Sequence, residues 1–124
     1  MMNDKLYGRV INWEEIPSES PRPGVSRKAY ASEALMLVRN VLEEGLEVRP
    51  HSHDFDQLVH ILEGRCDFFV EGERHAMGPG DLLLVPAHAQ HHAAVTETPC
   101  VNIDYFVPPR ADYAHLVSFL DENP

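Results

Sequence analysis

The sequence predicts an all-β domain, an antiparallel sandwich or barrel. Two observations carry that reading. From about Val25 to Val107, short apolar runs recur at close spacing, each stopped by Gly, Pro or acidic turn residues. No long helical pattern separates them, so the strand–helix alternation of a parallel sheet is missing. With 124 residues, 44% hydrophobic and 24% charged, the chain has the size and balance of one folded domain spanning residues 1–124.

The elements follow in order. Leu6 to Ile11 reads as a short strand, and Asn12-Trp13-Glu14-Glu15-Ile16 as one helical turn capped by Asn12. Pro17 to Gly24, PSESPRPG, is dense in turn residues and reads as loop, completing an irregular N-terminal arm. Leu35-Met36-Leu37-Val38 opens a strand that ends at Glu43-Glu44-Gly45. Leu58 to Leu62 and Cys66 to Val70 flank Glu63-Gly64-Arg65 and read as a hairpin. Glu71-Gly72-Glu73 leads to a weak strand near His75. Gly78-Pro79-Gly80-Asp81 is a strong turn signal before Leu82 to Val85, which Pro86 stops. His91 to Thr96 and Cys100 to Val107 complete about eight to ten strands. Only the tail has helical spacing, with Ala111, Leu116, Val117 and Leu120 on one face of a short C-terminal helix.

Twenty acidic against ten basic residues give a formal charge of −10. Such a chain has no broad basic face, which argues against nucleic acid and anionic membrane as partners. No apolar run approaches the ~20 residues of a membrane span. The N-terminus, MMNDKLYGRV, lacks the apolar centre of a signal peptide, so the expected location is cytoplasmic. Cys66 and Cys100 sit in apolar, strand-like surroundings and read as buried free thiols.

Eight histidines are many for this length, and six of them cluster in 51–60 and 88–92. Residues two apart on a strand point to one face, so His51 and His53 would aim their imidazoles at one point. Gln57 could join them from the start of the next strand, and His91 from a strand lying alongside. Three histidines and one oxygen donor suit one divalent transition metal such as Ni, Zn, Fe or Mn, with room left for water or substrate. His60 and His92 have opposite parity to Gln57 and His91 and are expected to face outward; His75 and His115 read as background.

These motifs resemble those of the cupins. Gly45, His51, His53, Gln57 and Gly64 match the spacing of the first cupin motif, with Gln57 in place of Glu. Gly80, Pro86 and His91 match the second, with His88 where that motif has Gly and Val95 where it has Asn. The two motifs cover 45–64 and 80–95. The resemblance implies a double-stranded β-helix, or jelly-roll barrel, holding a metal at His51, His53, Gln57 and His91. Gln57 removes a negative charge from that set, which favours an anionic substrate. His88 at a Gly position implies a turn tolerable without Gly and an imidazole near the pocket rim.

In Cys100-Val-Asn102-Ile-Asp104-Tyr-Phe106, alternate residues are apolar, so Asp104 and Phe106 are expected to face the pocket. An aspartate in a strand interior needs a partner. The ending also resembles that of the KdgF-like cupins of uronate catabolism, small pectin-degradation proteins. Leu35 to Arg39, the His-Ser-His ligands with Gln57, and Asp104, Phe106, Pro108 and Arg110 carry that likeness. It implies conversion of 4,5-unsaturated uronates to their linear keto form. Asp104 would shuttle a proton, Arg110 would fork onto the substrate carboxylate, and Phe106 would pack on the sugar ring. Arg39 is a second anion contact or a solvated strand residue. The alternatives are an Fe-dependent dioxygenase and a non-enzymatic module that binds a small acid. The partner in each reading is a small anionic sugar or organic acid. A homodimer is expected, with Tyr7, Trp13 and Ile16 of the arm as anchors.

Overall fold

The structure is a computed structural model and describes residues 8–121. It has seven strands: β1 (Glu19–Arg22), β2 (Val25–Ala31), β3 (Met36–Leu42), β4 (Gln57–Val70), β5 (Glu73–Met77), β6 (Leu82–Val85) and β7 (His91–Phe106). All pair antiparallel, in the order β1-β2-β3-β7-β4-β5, with β6 on β4. This is the double-stranded β-helix expected from the sequence. Among the described residues no helix is long and apolar enough to cross a membrane.

Seven strands replace the expected eight to ten because two expected breaks are not breaks. Gly64 is a bulge in a continuous β4, not a hairpin turn. The β4–β7 register shifts on both sides of it, and its φ is 74°. A Cβ there would collide with the Pro99 and Glu97 carbonyls, so only glycine lets β7 pass so close. Pro99 likewise does not end a strand. Neither β3 nor β4 pairs with Thr98 or Pro99, so its missing N–H costs no ladder bond.

The segment expected to be loop also holds a strand. β1 forms within PSESPRPG because it lies at the sheet edge, where Pro21 needs no partner. Pro23-Gly24 then turns the chain tightly, with Gly24 at φ 84°, and Arg22 faces Val25 across the hairpin. Asn12 caps the 3-10 helix Trp13–Glu15 as expected: Glu14 N–H donates to its Oδ1 at 2.9 Å, and Glu15 accepts from the Asn12 N–H at 2.8 Å. Gly8 to Ile11 is not a strand, and Leu6 and Tyr7 lie outside the described residues. Ile16 is buried in its own chain, and Trp13 lies beside Tyr30 and Leu37.

Two apolar clusters fill the barrel. One gathers Val59, Ile61, Cys66, Phe68, Met77, Val85 and Cys100; the other holds Ala29, Met36, Val38, Phe106 and Leu116. Cys66 and Cys100 are free and buried, as expected. Their mutual hydrogen bond and their burial push the Cys66 thiol up. The tail, Ala111–Asp121, is a 3-10 helix. Leu116 and Val117 face inward as expected and Tyr113 joins them, whereas Ala111 is exposed.

Candidate metal centre

Residues 46–50 are irregular, so no strand carries the first two histidines. Cross-chain bonds aim them instead. His51 and His91 pair backbone to backbone, N to O at 3.0 and 2.8 Å, which sets their rings 4.3 Å apart. The His88 N–H holds the His53 carbonyl at 2.6 Å, and the Ala87 N–H bonds Asp56 at 2.9 Å. These contacts pin the loop that bears His53. The ring of His53 stacks on Phe55 at 4.2 Å, and Phe106 backs both.

One ligand atom from each of His51, His53 and His91 lies within 4.8 Å of the others. Each ring meets a backbone carbonyl through Nδ1: Arg49 at 2.9 Å, Phe55 at 2.8 Å and Ala89 at 2.9 Å. A carbonyl can only accept, so each Nδ1 carries the proton and each Nε2 presents a lone pair. The His91 Nε2 is buried with no hydrogen-bond partner. Gln57, 6% exposed, sets its Oε1 3.1 Å from the His53 Nε2. The donor set therefore fits a divalent metal held by His51, His53, His91 and Gln57. Burial, with His51, His53 and Arg110 nearby, pushes the His91 imidazole down to about 4, so it is neutral at pH 7. Burial likewise lowers His51, helped by His53, Arg110 and Arg22.

Beside the histidines lies a cavity of about 130 Å³, below the size that suits drug-like ligands. Asp104 forms part of its floor. Its Oδ1 accepts from Asn102 at 2.8 Å and its Oδ2 from Asn40 at 2.9 Å, residues paired with each other across β3 and β7. Burial pushes its carboxyl up to about 6, against the pull of Gln57, Asn40, Arg110 and Asn102. β7 lies in the middle of the sheet, between β3 and β4, so Asp104 stands on an interior strand.

The remaining expected residues fall in different places. Arg110 lines the cavity, but its guanidinium is already bidentate to Asp112, at 2.8 and 2.7 Å. It also lies over the rings of Tyr113, Phe55 and Phe106 at 3.7, 4.9 and 5.0 Å. Phe106 faces inward as expected, yet it is 1% exposed and packs in the core rather than on the cavity wall. Arg39 is not a wall residue. His88 is exposed and does not line the cavity. Its φ of 72° shows that the turn does take the left-handed conformation that favours Gly. His60 bonds the Tyr105 hydroxyl at 3.2 Å, away from the ligands, and His115 bonds Glu19 at 2.7 Å. His92, expected to face outward, stacks on Phe69 and reaches the cavity wall.

The family model for the Cupin domain matches residues 38–106, more than half of the chain. The chain belongs to the cupin family. This cupin is 32% identical over 102 residues to the pectin degradation protein KdgF of Dickeya dadantii, covering 81% of this chain and 93% of that protein. It superposes on the structure of KdgF from Halomonas sp. with a TM-score of 0.78 and 31% identity, covering 85% and 97% of the two chains. An RmlC-like cupin from Shewanella frigidimarina gives 0.72 and 29%, covering 81% and 90%.

Sequence reasoning missed much of this cupin's cavity wall. Arg22, Arg27 and Arg49 stand there with Arg110, a basic lining in a chain of net charge −10. Arg22 was hidden because its strand reads as loop. Asn40 carries no local signal; only its pairing with Asn102 brings it under Asp104.

Proposed function

We propose that this cupin is a cytoplasmic enzyme that holds one divalent metal at His51, His53, Gln57 and His91. In this reading it converts 4,5-unsaturated uronates to their linear keto form. The observation that carries the proposal is three imidazoles with Nδ1 committed to backbone carbonyls and a buried His91 Nε2 without a partner, beside a half-buried carboxylate in one arginine-lined cavity. The likeness to KdgF, a pectin degradation protein, supports the substrate class. When bound, the metal supplies Lewis acidity and a template for the substrate carboxylate and a neighbouring hydroxyl.

The chain supplies the rest. Three neutral imidazoles and a neutral amide leave the cation's charge uncancelled, which suits an acid substrate. Asn40 and Asn102 hold the Asp104 carboxylate in one orientation, from which it gives and takes the proton of ring opening and ketonisation. Arg110 lends positive charge to the wall. Phe106 supports His53 through Phe55 in place of contacting the sugar. A homodimer belongs to the same proposal, on β6 in place of the expected arm, whose Ile16 is buried: Leu82 and Leu84, 63% and 61% exposed, offer a second copy an apolar face. Sedimentation at the dimer mass checks that part.

The test of the activity follows the alkene absorbance of a 4,5-unsaturated uronate. The protein should speed its loss above the spontaneous rate without consuming oxygen. Equal rates with and without protein would overturn the proposal, and coupled oxygen uptake would point to a dioxygenase.

A further inference from the structure

Four arginines line the cavity, and three are already committed. Arg27 is clamped by Glu19, at 3.0 and 2.6 Å. Arg49 pairs with Glu47 and Arg110 with Asp112. Among the described residues no acid meets Arg22, and its Nε is buried without a hydrogen-bond partner. A charged donor withdrawn from water and left unanswered is unfavourable, unlike the same donor facing an anion. The chain nevertheless places this guanidinium at the end of β1, where the Pro23-Gly24 turn fixes the backbone behind it. It shares the cavity with His51, Gln57 and His91.

We propose that Arg22 is the residue that receives the carboxylate of the anionic ligand, on the guanidinium edge that lines the cavity. This rests on the uronate reading above and adds the specificity determinant. Arg110 keeps only its end-on donors for a ligand and its charge is already answered, because its Nε and one Nη face both oxygens of the Asp112 carboxylate. Arginine suits the task because its planar donors match a carboxylate two by two. The class of ligand selected is therefore a monosaccharide acid over its neutral sugar.

Calorimetric titration with galacturonate and with galactose tests this on the purified, metal-bearing protein. Wild type should bind galacturonate more tightly. Arg22→Gln should weaken galacturonate binding by roughly 10- to 100-fold, the scale of a charge-assisted hydrogen-bonded pair. Galactose binding should stay unchanged. Arg22→Lys, which keeps the charge and loses the guanidinium edge, should fall between. In wild type, the Arg22 Nε–H resonance should move on adding galacturonate and stay put with galactose, a readout that needs no variant. If wild type does not prefer galacturonate, the uronate reading fails and takes this inference with it. If wild type prefers it and Arg22→Gln prefers it equally, or the Nε–H signal is indifferent, only the assignment to Arg22 fails.

Discussion

The histidine end of the cavity leaves its acceptors open, whereas the Asp104 floor closes its own. At the first, every imidazole spends its proton on a backbone carbonyl, and the buried His91 Nε2 has no partner. At the second, both oxygens of one carboxylate are met by amide donors from facing strands. Both ends are polar and both draw on β7. Under the proposed function the difference has a reason: a group that binds must be left unsatisfied by its own chain, whereas a group that moves a proton must be held still.

Each end should therefore fail in its own way. The largest effect is expected from His91→Ala and, separately, His51→Ala: bound metal should drop to near background by elemental analysis while the circular dichroism of the fold persists. Wild-type metal content in both variants would erase the distinction. Next, Asp104→Asn should keep its metal and its fold, because asparagine still hydrogen-bonds but cannot take a proton at neutral pH. Turnover of the unsaturated uronate should fall by roughly 10²–10⁴, the usual yield of one general acid–base group. Equal activity would keep the substrate and remove the role given to Asp104.

Smaller effects sharpen the same contrast. A metal that binds only the folded state stabilises it by ~2.7 kcal/mol at a hundredfold excess over its dissociation constant. Chelation should lower the melting temperature of wild type and of Asp104→Asn, and readdition should restore it. His91→Ala should not respond to either. The smallest change is His88→Gly. It relieves a left-handed backbone at φ 72° while keeping the N–H that holds the His53 carbonyl. Stability should rise by about 1 kcal/mol in thermal melts, with metal content unaltered.

The histidine end was legible because its signal is local: His51 and His53 flank a single residue, and Gln57 and His91 follow at motif spacing. The site's form was legible too, since the parity that turns Asp104 inward is a property of one strand. What was hidden depends on residues far apart in sequence. Gly64 reads as a turn until the Pro99 and Glu97 carbonyls are seen against it. Arg22 reads as a loop residue until β2 offers β1 an edge, and Asn40 gains its meaning only opposite Asn102.

The sheet order has a consequence for how the chain reaches this state. β7 is the last strand in sequence, yet it lies between β3 and β4. Before it docks, the chain consists of two separate pieces, β1–β3 and β4–β6. Each piece has an exposed strand edge and half a core. Pairing across such long separations is slow, and open edges invite other chains in the meantime. β7 also brings His91 to His51, so the candidate metal ligands meet in the same event that joins the two pieces. Ribosomal synthesis thus delivers the keystone last, and a chain stalled before residue 91 has neither a barrel nor a site.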